Sequence, residues 1–592
     1  MSRLARSLRP PALALVCCFT TLSYLPAAAE TLVRIDDYDL DEIRSTGFEL
    51  TRKVRLEVEA VGVRPRWASD FTAYAWILDA KTRETVWSQE QERSERVRDS
   101  SSLRRTRDEI ELEPGRYELY AWAGSRWTGR GISIHLADTE DWHDIVHGRW
   151  DDERSGRELR SAVRDCWVEL RSEDVSKRDL ETFEPTGEIA GAVYRAAPLG
   201  DHQFVQTELV VDRPVSVRIY AVCEYPRGFD DAADGGWIVD AATRERVWDL
   251  GWRDTRKGGG AKKNRVHDDE VRLEAGRYVL CYGTDDSHSR EEWNANPPDD
   301  PMNWGITLLP GKDFDSSALH VNEKYTRGDP LFAATKVRDG DWIEQPFRLA
   351  RDAEIQVLAL GEWDDGEDEF ADRAWISRAG NSEIVWEMRY RDTEHAGGAP
   401  KNRMFDGIVK LPAGDYVAHY ETDGSHSYRD WNADRPYEPE AWGLAMWSSG
   451  ALQGGDFALL EQKPREQLPN VIVQLDQVGD DARVQEEFTL DKPTRVRIYA
   501  LGEGVGGEMY DFGWIEKKDT GQVVWEMTYR ATRAAGGARK NRMFDGEVLL
   551  DAGTYVVRYE TDDSHSFPDW NDRRPRDPRS WGISISRAEA KE

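Results

Sequence analysis

Thr284-Asp285-Asp286-Ser287-His288-Ser289, Thr422-Asp423-Gly424-Ser425-His426-Ser427 and Thr561-Asp562-Asp563-Ser564-His565-Ser566 are three copies of one loop. Each runs on to an acid with a Trp-Asn pair (Glu292-Trp293-Asn294, Asp430-Trp431-Asn432, Asp569-Trp570-Asn571) and then to Trp-Gly (Trp304-Gly305, Trp442-Gly443, Trp581-Gly582). Counted back from there, Trp237–Trp304, Trp375–Trp442 and Trp514–Trp581 align without insertion or deletion. Loops ordinarily drift in length, so packing or a ligand holds these three to one geometry.

Outward from the loop, each copy repeats the same short strands. Val215, Val217, Ile219 and Ala221 alternate with Ser216, Arg218 and Tyr220, and Ile355, Val357, Ala359 and Val496, Ile498, Ala500 repeat the pattern. A period of two over such runs reads as a half-buried strand. Trp-Ile, Val-Trp, a Gly-rich loop and Leu-x-Ala-Gly-x-Tyr-Val (Leu273 to Val279, Leu411 to Val417, Leu550 to Val556) follow in order. Short strands with Gly turns and no long helix predict an all-β chain, a tandem array of four β-sandwich, jelly-roll-like repeats with one short helical insert. The full copies span 191–310, 328–448 and 470–588, with linkers at 311–327 and 449–469. Residues 30–137 form a degenerate first copy: Val54-Arg55-Leu56-Glu57-Val58, Trp76-Ile77, Pro114-Gly115-Arg116-Tyr117 and Gly131-Ile132-Ser133-Ile134 match later landmarks, but the Ser-His-Ser loop is missing. In the charged insert 138–190, Leu159, Val163, Cys166, Trp167 and Leu170 recur at helical spacing and predict an amphipathic helix.

The chain has 592 residues, too many for one core. Its net charge of −32 repels nucleic acid and anionic lipid and favours cations and basic partners. Twenty-four tryptophans at regular spacing argue against the disorder that such polarity would otherwise suggest. Residues 1–29 read as a signal peptide: Arg3, Arg6 and Arg9, an apolar run from Ala12 to Leu25, and Ala27-Ala28-Ala29. The expectation is an exported, periplasmic or secreted protein starting at Glu30; Val16 and Cys17 fit poorly before a lipidated Cys17 or Cys18. No later stretch reads as membrane-spanning. Of the remaining cysteines, Cys223 and Cys281 lie in strand-like runs of one repeat and could pair, leaving Cys166 free.

Phe-x-Leu (Phe347-Arg348-Leu349, Phe488-Thr489-Leu490), the alternating strand and Leu-x-Ala-Gly-x-Tyr-Val-x-x-Tyr together resemble the pre-peptidase C-terminal jelly-roll of bacterial secreted enzymes, and more loosely carbohydrate-binding sandwiches. The resemblance implies secretion and an accessory binding or stabilising role. It transfers no catalytic or binding residue.

Two constellations could carry chemistry. The first is an Arg-x-Thr-like turn (Arg253, Arg391, Arg530), a Gly-Gly-Ala-x-Lys-Asn-Arg loop (Lys263, Asn264, Arg265; Lys401, Asn402, Arg403; Lys540, Asn541, Arg542) and an Asp three residues on (Asp268, Asp406, Asp545). Gly-Gly could cradle an anion, or the basic residues could pair with the repeat's own carboxylates and fix the loop. The second joins Asp285, His288, Glu292, Trp293 and Asn294 with Asp423, His426, Asp430, Trp431, Asn432 and with Asp562, His565, Asp569, Trp570, Asn571. Asp, His and the second acid offer ligands for calcium or zinc; the Trp residues offer a stacking face to a glycan; or the imidazole bonds its own loop and the Trp residues plug the sandwich. His143 and His147 add a weaker two-imidazole pattern in the insert. Neighbouring Ser and His on one strand point apart and make a poor nucleophile and base pair. The sequence therefore points to a non-enzymatic binding or structural array, the alternatives being a metal-dependent hydrolase, an enzyme accessory protein, and an array whose loops only dock repeats or bind a protein partner.

Overall fold

Alternation along Val215–Glu224 decides how each repeat closes: Val215, Val217, Ile219, Ala221 and Cys223 are all fully buried on one face. Opposite them Leu209, Ile238, Leu280 and Tyr282 fill the same core from a second sheet. The computed structural model describes residues 29–588 apart from 65–69, 91, 99, 125–159, 227–231, 367, 380–382, 451 and 462–469. The signal peptide, Gly131–Ile134, Leu159 and the His143/His147 pair lie outside the described residues.

The chain divides into two compact units, one ending at Ala190 and one beginning at Gly191. In the second unit each full repeat is an antiparallel sandwich. In the copy that starts at Gly191, one sheet runs Tyr194–Ala196, Gly305–Pro310, Val215–Glu224, Asn264–Leu273, Thr255–Lys257, and the other Arg246–Asp249, Gly235–Asp240, Gly276–Gly283, Phe204–Val211, Leu319–Asn322. The next two copies repeat this order, the last without the final strand. In the first unit Val63 pairs with Ala73 and joins the strands into one ten-stranded sheet.

Each Gly-x-Tyr corner is closed by one hydrogen bond. The hydroxyls of Tyr117, Tyr278, Tyr416 and Tyr555 donate to the carbonyls four residues upstream, on Glu113, Glu274, Pro412 and Asp551, at 2.9, 3.1, 2.7 and 2.9 Å. The first unit shares this corner with the three full copies.

Three expectations change. A helical turn covers 160–163, but Trp167–Ser172 is a strand paired with both Glu30–Asp36 and Val54–Val63. It takes the place in the sheet expected for Gly131–Ile134; Val168 and Leu170 are buried, and Glu169, also buried, pairs with Arg34 and Arg171. The linkers each carry a strand: Leu319–Asn322 extends the sheet at Phe204–Val211, and Phe457–Leu459 the sheet at Trp342–Leu349. Cys223 and Cys281 are both free. Cys223 faces the core, whereas alternation along Gly276–Gly283 sends Leu280 and Tyr282 inward and Cys281 to the outer face with Trp237, Val239 and Val279.

Candidate functional site

The three loop histidines have left-handed backbones, φ +61° at His288 and +56° at His426 and His565, which a non-glycine residue adopts only when its surroundings hold it there. That turn drives each imidazole into its own repeat, where it is fully buried. His288 packs edge to face on Trp293 and Trp304, with centroids at 5.0 and 5.4 Å, and these two rings meet each other at 5.0 Å. His426 with Trp431 and Trp442, and His565 with Trp570 and Trp581, repeat the cluster. The rings offered by the sequence as a stacking face for a glycan pack into this plug.

The Lys-Asn-Arg loop sends its three side chains to three places. The Asn264, Asn402 and Asn541 amide nitrogens donate to two backbone carbonyls each, those of Gly259 and Asn296, Gly397 and Asp434, Gly536 and Arg573. With the amide nitrogen committed, each Asn Oδ1 accepts from the buried imidazole Nε2 at 2.6 Å, which fixes the neutral Nε2–H tautomer. Burial pushes His426 and His565 down to about 4, with the neighbouring Lys adding to the effect. Arg265, Arg403 and Arg542 bond the Thr255, Thr393 and Thr532 hydroxyls and carbonyls and lie over Trp252, Tyr390 and Tyr529.

Lys263, Lys401 and Lys540 reach carboxylates that the sequence reading did not single out. Their ammonium groups pair with Glu224, Glu362 and Glu503 at 2.9, 3.0 and 3.4 Å and with the Asn294, Asn432 and Asn571 side-chain oxygens. Beside each Glu stands a second missed acid, Asp234, Asp372 or Asp511, whose two oxygens accept from the loop Asp backbone N–H at 2.8 to 2.9 Å and from the Trp304, Trp442 or Trp581 indole at 2.8 to 3.0 Å. Asp285, Asp423 and Asp562 complete the three triads. Burial raises Asp234 and Asp372 well above the carboxylate range, Asp285 to about 8, and Glu362 and Asp511 to about 7. The missed Asp stands three residues before the Trp-Ile landmark in every full copy, a regularity the sequence does carry. In the first unit Ala73 stands there, and Val63 pairs with Leu103 where the others pair Glu with Asn. Acids, Asn and loop are lost together, as parts of one module.

The expected Asp, His and second-acid metal site is not assembled. His Nε2 is bonded to Asn, and Glu292, Asp430 and Asp569 are exposed. Among the described residues the groups able to surround one ion are Glu362, Asp372, Asp423 and Glu503, Asp511, Asp562. Arg253, Arg391 and Arg530 are exposed outside the site. Asp268 and Asp545 pair across the sheet with Arg218 and Arg497. Asp406 does not, because Gln356 occupies the position of those arginines; it accepts instead from Arg327 at 2.9 Å and from Arg244 of the preceding repeat.

The Gly-Gly turn holds backbone where an anion was considered. A Cβ on Gly260, Gly398 or Gly537 would lie 2.0, 2.1 or 2.0 Å from the carbonyl oxygen of Pro297, Arg435 or Arg574. The plug, the Asn and the glycines therefore all grip the segment that follows Trp-Asn, and in two copies that segment reaches the repeat before it. Tyr437 stacks on Phe204 at 5.7 Å and lies 6.0 Å from Trp237, with its hydroxyl donating to the Ala233 carbonyl. One repeat on, Arg573 pairs with Glu369, Arg574 lies over Trp342 and bonds the Gly340 carbonyl, Arg576 pairs with Glu387 at 3.0 Å and Arg579 with Glu344 at 3.3 Å.

No family model matches the chain, and no curated protein matches it. Among solved structures it is similar to the CBM32-1, CBM32-2 and M60 catalytic domains of ZmpB from Clostridium perfringens, at 7% identity over 65% of this chain and 51% of that one, TM-score 0.13. It is also similar to the arabinofuranosyltransferase AftD from Mycobacteria, at 11% identity over 86% of this chain and 38% of that one, TM-score 0.09. The chain spans about half of the first and less of the second, and TM-scores this low bear on neither fold nor function. Among the described residues no helix is long and apolar enough to cross a membrane.

Proposed function

We propose that the chain is an exported, non-enzymatic architectural array, and that the repeated constellation is the device by which one sandwich is locked onto the one before it. The observation that carries this reading is the position shared by Tyr437 and Arg576. Both stand five residues before the Trp of Trp-Gly, both follow a segment held by the His–Asn–Gly-Gly grip, and both land on the preceding repeat. The imidazole, the best general base in the constellation, is buried and hydrogen-bonded to an amide, which suits a structural part better than catalysis. Two of the three copies dock in this way.

Cys281 reports on the seam. It is 3% exposed and packs in the cluster that Tyr437 joins, and burial pushes its thiol up to about 12. Native protein is expected to resist a thiol reagent, and Tyr437→Ala to release one reactive thiol while Cys166 and Cys223 stay protected. Unchanged labelling in a folded Tyr437→Ala protein overturns the docking reading.

A further inference from the structure

The strongest feature that docking leaves unused is an orphaned acceptor. Glu362 and Glu503 are each 7% exposed, and in each one oxygen, Oε1, takes the lysine while Oε2 has no hydrogen-bond partner. A buried carboxylate oxygen without a donor costs about 1–3 kcal/mol or more, and the same cost stands at the same position in two repeats. Each of these glutamates belongs to a group whose three carboxylates bring one oxygen apiece within 4.8 Å of one another: Glu362, Asp372, Asp423 and Glu503, Asp511, Asp562. The oxygens are hard donors, with no sulfur or imidazole among them, which selects the calcium and magnesium class over zinc.

The copy at Glu362 has a way in. Asp423 is half-buried and lines a cavity of about 490 Å³ with Asp364, Tyr529, Lys540, Arg573 and the hairpin at Gly504 to Gly506. We infer that Glu362, Asp372, Asp423 and Glu503, Asp511, Asp562 are two binding sites for a calcium-class divalent cation. Among the described residues the equivalent acids of the preceding copy, Glu224, Asp234 and Asp285, are not brought together in this way.

The test is calorimetric titration of the chelator-treated full chain with calcium, with magnesium and zinc as parallel arms. Expected are about two calcium ions per chain, one for each group, falling by one in Glu362→Gln and to none in Glu362→Gln with Glu503→Gln. Glu224→Gln is expected to leave the count unchanged. Asp423→Asn, at a half-buried position, serves if Glu362→Gln does not fold and is expected to weaken one site at least about tenfold, or 1.4 kcal/mol. No calcium uptake, a count indifferent to the Glu362 and Asp423 variants, a matching loss in Glu224→Gln, or uptake of zinc in preference to calcium overturns the assignment.

Discussion

His426 shows how one residue can hold a loop, a strand and a docking segment at once. Its Nε2–H binds Asn402, whose amide in turn holds the Gly397 and Asp434 carbonyls. Because the folded ring stays neutral down to about 4 while an exposed one protonates near 6.5, the unfolded chain binds the extra proton. The histidine's contribution is therefore complete above pH 6.5 and drains away as pH falls toward about 4. His426→Gln keeps a donor for Asn402 and removes the titration. We expect it to be less stable than the native chain at about pH 7, by about 1–3 kcal/mol, with the gap narrowing as pH is lowered. Urea unfolding of both proteins at a series of pH values measures this, and the buried acids, common to both, cancel in the difference. A gap independent of pH would show that the imidazole is not held neutral. The Asp-x-x-His spacing was legible as a constellation, but its partner was not. Asn402 lies 24 residues back and meets His426 only because two sheets bring their ends together, which no local pattern encodes.

At the scale of the element, the Gly-Gly turn and the segment it carries behave as one part. Gly398 has φ +65°, and a Cβ there would meet the Arg435 carbonyl oxygen at 2.1 Å, so the segment must shift. Gly398→Ala is expected to destabilise the chain by more than about 1 kcal/mol and to expose Cys281 to thiol reagents by lifting Tyr437 from its seat. Gly424→Ala is the matched control, since nothing lies within 4 Å of its Cβ and its φ is ordinary; it should change neither melting nor labelling. Equal labelling in both variants would separate the turn from the seam. The strands themselves were legible wherever one face is buried, as at Val215–Glu224, since a period of two is dictated by the pleat. Trp167–Ser172 escaped because Cys166, Trp167 and Leu170 also fit a helical spacing. What makes it a strand is pairing with Val54–Val63, about a hundred residues earlier, where tertiary context overrides local pattern. Glu362 and Asp372 were missed for a related reason: acids at strand ends look like solvated turns until the fold closes over them.

Across the second unit the two seams differ in chemistry and share a logic. Between the first two full repeats the seam is aromatic, Tyr437 on Phe204 and Trp237, with Asp406 beside it; burial alone would raise that carboxyl, but Arg327 and Arg244 hold it well below the usual range. The second seam is arginine on acid and on Trp342. In the last repeat the receiving face changes character. Arg483 stands where Phe204 and Trp342 stand, and Arg558 where Cys281 and His419 stand, paired with Glu560 and Glu516. Such a charged face is stable in water without a cover, whereas Trp342 and Trp375 need covering. Deleting residues 470–592 should therefore uncover an apolar face, and we expect concentration-dependent self-association of the shortened chain by sedimentation velocity. Replacing Trp342 by Arg in that shortened chain, which imitates the last repeat at the same position, should restore a monomer. A shortened chain that sediments as a monomer at all concentrations would mean that the aromatic face is stable in water, and that docking of the last repeat serves geometry rather than burial.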